Sequence, residues 1–219
     1  QRQMCIRDRI RMNVIYIAIV VVAGYLLGSL SISILLSKNL LGRDVRRHGS
    51  GNAGATNMAR VFGMHAGLLT LAGDMLKAAA AMLLGFWLLG DTGMALGGVA
   101  CLLGHCFPAL HGFKGGKGVS SGAMVALMID WRVFLCVVGV FLVGAFLTKK
   151  VSFGSICGAL AIFISAAALG VSTPRLILAA AGMLIVIARH RDNIVRLING
   201  TEPDFKPAKR AGTKRKEEC

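Results

Sequence analysis

Gly49, Ser50, Gly51, Asn52, Gly54, Thr56 and Asn57 crowd one short stretch, and Arg60 follows three residues later. The three glycines let the backbone take positive φ and come close to a ligand. Successive amides in such a loop can form an anion-binding concavity. Ser50, Asn52, Thr56 and Asn57 add uncharged donors, and Arg60 adds a permanent charge. A helix beginning after the loop would turn its N-terminus toward the same anion. The pattern is not the common G-x-x-x-x-G-K-[ST] phosphate loop. A flexible loop has a similar composition, so composition alone leaves both readings open.

A second stretch holds Lys114, Gly115, Gly116, Lys117 and Gly118 ahead of an apolar run. Two lysines separated by glycines again suit a phosphate; the alternative is a turn whose lysines meet anionic lipid headgroups. A third, from Arg189 to Asn193, places His190 and Asn193 three residues apart, hence on one face of a helix. Histidine exchanges a proton near neutral pH more readily than any other side chain. A basic stop after a membrane helix accounts for Arg189 and Arg191 but not for the His and Asn pair.

Other polar residues fall inside apolar runs. Asp74 and Lys77 are three apart and should pair, either as a functional pair or as a structural one between packed helices. His105, near Pro108, reads as a hydrogen-bonded structural residue. Ser152 follows Lys149 and Lys150 at the depth of the three polar stretches. The six cysteines (Cys5, Cys101, Cys106, Cys136, Cys157 and Cys219) make no CxxC, and no Cys/His or carboxylate cluster has metal-ligand spacing. Neither a metal nor a cofactor is expected.

The elements that position these residues must be membrane helices. The chain has 219 residues, 55% of them hydrophobic, and its mean hydropathy of +0.68 is too high for an ordinary soluble domain. Crossing a hydrocarbon core of about 30 Å takes about 20 helical residues. Apolar runs cover residues 14–36, 64–89, 93–110, 119–147, 151–171 and 174–188. Asp130, Trp131 and Arg132 interrupt 119–147; one span would bury two charges, so two spans with a tight turn are expected. The runs are continuous, not alternating, which excludes barrel strands, and their alanines and glycines allow close helix packing.

Seven spans give an all-α, polytopic protein. Lys38, Arg43, Arg46, Arg47, Arg60, Lys114, Lys117, Lys149, Lys150 and the basic residues from Arg189 onward then share one side, and only Arg132 and Arg175 fall opposite. The positive-inside rule puts the N-terminus outside and the C-terminus in the cytoplasm. This asymmetry also explains the net charge of +15 without nucleic acid. Residues 1–11, with Arg2, Arg7, Arg9 and Arg11 before Met12, break the rule and read as read-through or otherwise foreign sequence. Residues 12–205 read as one membrane domain and 206–219 as a basic, disordered tail.

Gly49 to Asn57 with Arg60, Gly104 to Pro108 running into Gly112 to Val119, and Arg189 to Ile194 closely resemble the acyl-phosphate-dependent glycerol-3-phosphate acyltransferases of bacteria, the PlsY family. Asp74 and Lys77 also fit, and the likeness runs from Met12 to about Phe205. Ser120, where small apolar residues are common, departs from the pattern outside the catalytic set. The resemblance implies transfer of a fatty acyl group from acyl phosphate to the 1-hydroxyl of sn-glycerol 3-phosphate, giving lysophosphatidic acid and phosphate, the first acylation of phospholipid synthesis. It implies a site on the cytoplasmic face of the bacterial inner membrane and a functional link to a soluble acyl-phosphate synthase. By motif, Ser50, Arg60, Lys117, Ser152, His190 and Asn193 should line the site, with the 49–57 loop holding phosphate. A membrane transporter of an organic phosphate is the main rival, although such proteins often place the site at the midplane and show internal repeats. A scaffold bound to anionic lipid would explain the basic tail but not the three motifs.

Overall fold

A computed structural model describes residues 2–40 and 42–208, with side chains from Met12 onward except Leu40. The described residues contain nine α-helices and no strand. Helix α1 (Arg2–Ser29) is followed by a single turn, α2 (Ile32–Leu35), and a π-helical turn at Leu36–Leu40. Then come α3 (Ala55–Phe62), α4 (Met64–Cys106), α5 (Val119–Ile129), α6 (Trp131–Thr148), α7 (Val151–Ala168), α8 (Thr173–Arg189) and α9 (Arg191–Ile198). Stretches Met12–Asn39, Met64–His111, Trp131–Thr148 and Val151–Ala168 are long and apolar enough to cross a membrane, and α8 and α9, bent by 59° at the break between them, reach that length only when taken together.

Helix α4 is a hairpin. Leu89 and Gly90 leave helical geometry, Gly90 at φ 59°, and the chain turns back on itself. A Cβ on Gly85 would lie 2.0 Å from the Gly93 carbonyl oxygen, and one on Gly97 would lie 2.5 Å from that of Ala81. Helices α6 and α7 form a second antiparallel pair, in which a Cβ on Gly154 would lie 2.5 Å from the Phe141 carbonyl oxygen. In contrast, α1 and the second half of α4 run parallel: a Cβ at Gly24 meets Gly97, and one at Gly28 meets Cys101. Helix α8 shares that direction, with Gly98 against Leu178 and Gly182 against Leu102. Between apolar helices in lipid, close packing replaces water exclusion as the main attraction, and small residues allow it. Met82, Met94, Leu102, Val125, Ile129, Val133 and Leu178 fill the space where α4, α5, α6 and α8 meet. Trp87, Phe146 and Leu147 stand on the outside, an apolar exterior suited to lipid.

The expected apolar run at 14–36 lies within Met12–Asn39, which is long and apolar enough to cross a membrane, but its helix is interrupted after Ser29. The reason is a cation. Lys77 Nζ donates to the carbonyls of Gly28 and Leu30, at 3.0 and 2.8 Å, and so satisfies backbone groups that the break leaves unpaired. The split at Asp130 is as expected; Asp130 caps α6 by accepting from the Arg132 amide at 2.8 Å. Arg132 pairs with Asp130, and Arg175 with Asp91, so both cations at that end are neutralised. Helix α1 begins within residues 1–11, whose side chains lie outside the described residues, as does the tail from 209.

Helix directions gather four connections at one end of the bundle: residues 30–63, 107–118, 149–150 and 190–208. Cross-links bind them together. Arg46 donates to the His111 carbonyl at 2.9 Å. The Phe205 amide donates to the Lys149 carbonyl at 3.0 Å, and the Ala208 amide to that of Ala59 at 3.1 Å. The segment after α9 therefore reaches across both the α6–α7 turn and α3.

Candidate active site

These connections enclose a cavity of about 1000 Å³. Ser50, Arg60, Lys117, Ser152, His190 and Asn193 all line it. It also has an apolar limb between helices, with Leu71, Met75, Phe134, Val138, Phe141 and Ile162 among its walls. A polar end at the loops and an apolar end among helices suit an amphiphile: a charged head among cations, and a chain beside lipid.

The first loop is built around Asn57, which is fully buried. Its Oδ1 accepts from the Ser50 amide at 2.9 Å, and its Nδ2 faces the carbonyls of Val45, His48 and Asn52 at 3.0–3.1 Å. Asn57 was read as a donor to phosphate; its donors are consumed in the loop, so it is a clamp. Gly49 and Gly51 adopt φ of 60° and 70°, and a Cβ on Gly49 would strike Asn57 Oδ1 at 2.3 Å. These two glycines shape the loop and do not line the cavity. Asn52, Gly54 and Thr56 do line it, where Gly54 begins α3. Arg60, half-buried on the same helix, makes no hydrogen bond or ion pair with a described residue. A permanent cation placed so is available to an anion.

The second loop divides in two. Lys114, expected beside phosphate, is exposed and is not among the residues that line the cavity. Gly115 and Gly116 are buried: a Cβ on Gly115 would lie 2.1 Å from the His105 carbonyl oxygen, and one on Gly116 would lie 2.1 Å from His105 Nε2. Gly118 takes φ 82° and starts α5. The glycines thus serve close backbone approach, and Lys117 alone carries the charge into the cavity. Burial pushes the Lys117 ammonium down to about 8, against the raising effect of Glu202.

Lys117 heads a polar chain. Its Nζ donates to Asn193 Oδ1. Asn193 Nδ2 donates to Glu202 Oε1 at 2.7 Å, and Arg196 Nε donates to Glu202 Oε2 at 2.7 Å. Burial pushes the Glu202 carboxyl up, but Ser152, Asn193 and Arg196 outweigh it and hold the carboxyl below its usual range. Ser152 neighbours that carboxylate without a well-formed hydrogen bond; its Oγ is buried and unpartnered among the described residues. Lys150 Nζ donates to the Glu202 carbonyl at 2.5 Å and pairs with Asp204 at 3.1 Å, which fixes the segment. Glu202 and Arg196 escaped the sequence reading. Their only signal was an acid and a base six residues apart beyond the last span.

His190 ends α8 and begins α9. Its Nδ1 lies 2.8 Å from the Val186 carbonyl oxygen. A carbonyl only accepts, so Nδ1 carries the hydrogen and Nε2 keeps its lone pair. Burial pushes the imidazole down to about 4, and Lys117 and Arg189 add to this. His190 is therefore neutral at pH 7, an acceptor and a weak base. Asp74 and Lys77 pair as expected, at 2.9 Å, with His105 Nδ1 3.1 Å from Lys77 Nζ.

The glycerol-3-phosphate acyltransferase family model matches residues 18–200. The chain is 40% identical over 190 residues to a glycerol-3-phosphate acyltransferase of Bacillus subtilis strain 168, covering 87% of this chain and 98% of that one. It is 42% identical over 198 residues to the like-named protein of Syntrophotalea carbinolica, covering 86% and 97%. Its fold is similar to the crystal structure of PlsY (YgiH), an integral membrane glycerol 3-phosphate acyltransferase, in its glycerol 3-phosphate form, with TM-score 0.82, 34% identity and coverage of 87% and 96%. The lysophosphatidic acid form of that protein gives TM-score 0.79, 35% identity and coverage of 87% and 95%.

Proposed function

The chain belongs to the glycerol-3-phosphate acyltransferase family, and from that premise we propose that it moves a fatty acyl group from an acyl phosphate to the 1-hydroxyl of sn-glycerol 3-phosphate. The products are lysophosphatidic acid and inorganic phosphate. The observation that carries this reading is the convergence of Ser50, Arg60, Lys117, Ser152, His190 and Asn193 on one cavity with an apolar limb.

Both reactants carry phosphate and one carries a chain. Arg60 and Lys117 take the negative charge, with Ser50 and the first turn of α3 beside them. The apolar limb receives the chain. An acyl phosphate is already activated, so the hydroxyl attacks the acyl carbon directly. A new ester C–O bond forms, the bond from acyl carbon to the phosphate oxygen breaks, and phosphate leaves with the electron pair. Lys117 lies where it can stabilise charge on the phosphate and the developing oxyanion. Holding two reactants side by side removes several kcal/mol more of the barrier. The hydroxyl proton goes to the leaving phosphate, a stronger base than His190, whose Nε2 lone pair orients the hydroxyl. Ser152 and Asn193 complete the polar wall.

The membrane arrangement follows the same reading. Helix α1, both halves of α4, and α5 to α8 make seven spans, with α9 lying along the surface after the 59° bend. Helix α5 has 11 residues and covers about 17 Å, so on this reading the buried stretch from Gly115 to Gly116 before it belongs to the same crossing. The basic, site-bearing end faces the cytoplasm, placing the N-terminus outside and the C-terminus inside, in a bacterial inner membrane, where a soluble synthase could deliver acyl phosphate. Phosphate release from palmitoyl phosphate and glycerol 3-phosphate, run beside acyl-CoA and acyl-carrier protein, tests the proposal. Turnover with a thioester but not with palmitoyl phosphate would overturn the donor.

A further inference from the structure

The proposed chemistry leaves three buried ionisable side chains in α4 unused. Asp74, Lys77 and His105 are 1%, 6% and 5% exposed, a costly set to keep inside a membrane protein. Part of its role is structural, because Lys77 holds the carbonyls at the end of α1. That does not account for His105. The hydrogen bonds to the end of α1 come from Lys77, not from His105.

The nearer partner of His105 selects one tautomer. Nδ1 faces Lys77 Nζ at 3.1 Å and Asp74 Oδ1 at 3.5 Å. An ammonium has only donors, so a hydrogen on Nδ1 would point at the hydrogens of Lys77. With Lys77, the nearer partner, as donor, Nδ1 accepts and the hydrogen sits on Nε2; an Nδ1–H turned to Asp74 Oδ1 at 3.5 Å would leave a lone pair there instead. That Nε2–H has no acceptor among the described residues. It is not among the sealed polar atoms without a hydrogen-bond partner in the described residues either. His105 lines the cavity, and the Nε2 edge lies against Gly116, one residue before Lys117, close enough that a Cβ there would meet it at 2.1 Å. Gly116 is itself held at both ends. Its amide donates to the His105 carbonyl at 3.1 Å, and its carbonyl accepts from Arg189 Nε at 3.3 Å.

We propose that His105 is a further substrate-binding residue, whose Nε2–H, oriented by Lys77 and Asp74, donates to an anionic oxygen of the reactants beside Lys117. This rests on the acyl-transfer reading for the identity of the oxygen, which belongs to a phosphate or to the oxyanion formed at the acyl carbon. Lys77 and Asp74 are positioning residues for it. The buried set then has one purpose at each end: Lys77 terminates α1, and through His105 it orients a donor at the site.

Two substitutions separate the ends of the ring. Asparagine places its amide at the depth of Nδ1 and keeps a partner for Lys77; glutamine reaches the depth of Nε2 and keeps the donor. His105→Gln should retain kcat/KM within several-fold of wild type. His105→Asn should lose about 10- to 100-fold, the worth of one hydrogen bond to a charged group, at the same thermal midpoint as His105→Gln. A rise in KM for glycerol 3-phosphate assigns the oxygen to that phosphate, and a rise in KM for palmitoyl phosphate assigns it to the donor. A fall in kcat alone assigns it to the oxyanion. Equal activity of the two variants, or an Asn deficit that vanishes when rates are scaled to the folded fraction, overturns the proposal. If the wild type rejects palmitoyl phosphate, the donor reading fails by itself, and the same comparison is made with whichever of acyl-CoA or acyl-carrier protein supports turnover. Should neither variant fold, nitrogen NMR of histidine-labelled wild-type protein decides. A protonated Nε2 whose resonance moves on adding either substrate supports the proposal, and a ring protonated on Nδ1, or no shift with either substrate, overturns it.

Discussion

Lys117 and Asn193 stand 76 residues apart in the chain and share a hydrogen bond, the ammonium donating to the carboxamide oxygen. The other face of that carboxamide donates to Glu202, so one amide connects the cavity-lining lysine of the second loop to the carboxylate that anchors the segment after α9. A side chain with a donor and an acceptor on opposite sides suits this link. Aspartate at 193 would accept from Lys117 but would face Glu202 with a like charge.

Lys117→Ala should lower kcat/KM by about 100- to 1000-fold, the range for removing a group that stabilises developing negative charge. Lys117→Arg should retain part of the rate. Both are read with purified protein in lipid. Activity of Lys117→Ala near that of wild type would remove this residue from the site.

The pH profile follows from the same residue. Burial pushes Lys117 down to about 8, so the cation is present below that pH and is lost as pH rises through it. kcat/KM should therefore fall above about pH 8, and the descending limb should move to higher pH in Lys117→Arg. His190, pushed down to about 4, stays neutral from pH 6 to 8. His190→Ala should thus lower the rate across that window without changing the shape of the profile; loss of an ionisation there would make His190 the base after all.

Glu202→Ala removes the acceptor of both Asn193 and Arg196. Buried Asn193 is left with an unpaired donor at a cost of about 1–3 kcal/mol, whereas Arg196, with its side chain 40% exposed, can turn to water; the thermal midpoint should drop by several degrees and activity should fall with it. Glu202→Gln keeps the shape and one acceptor, and should lie between. A Glu202→Ala protein as stable as wild type would show that the segment after α9 is held without this carboxylate.

Asn57→Ala should raise KM for glycerol 3-phosphate about tenfold or more and open the 45–54 segment to protease. The physical reason is that the Ser50 amide and the carbonyls of Val45, His48 and Asn52 lose one shared partner. Unchanged KM with unchanged proteolysis would show that the loop holds its shape without the clamp.

In otherwise cysteine-free protein in intact cells, Lys114→Cys should be shielded from a membrane-impermeant thiol reagent, and Arg132→Cys should react. Labelling of both from the same side would rule out the seven-span arrangement.

The membrane class, the split at Asp130 and the three polar stretches were all legible in the chain, because hydropathy and motif spacing are local properties. The break after Ser29 was not, because it depends on Lys77, which is distant in sequence and supplies hydrogen bonds that the apolar run alone would lack. The same limit explains Lys114 and Lys117. They have the same type and nearly the same neighbours, but one faces solvent and the other the cavity.

The sequence by itself determined that helices must close their own backbone hydrogen bonds in lipid, that cations gather at one end of them, and that glycine-rich loops interrupt them there. Only the tertiary structure decided which polar groups remain available to a substrate. Asn57 is consumed by its own loop, Glu202 is brought back under the α6–α7 turn, and His105 lines the cavity with its Nδ1 held beside Lys77 and Asp74. Availability is what remains after every other hydrogen bond has been made, and those partners come from chain separations that no local pattern records.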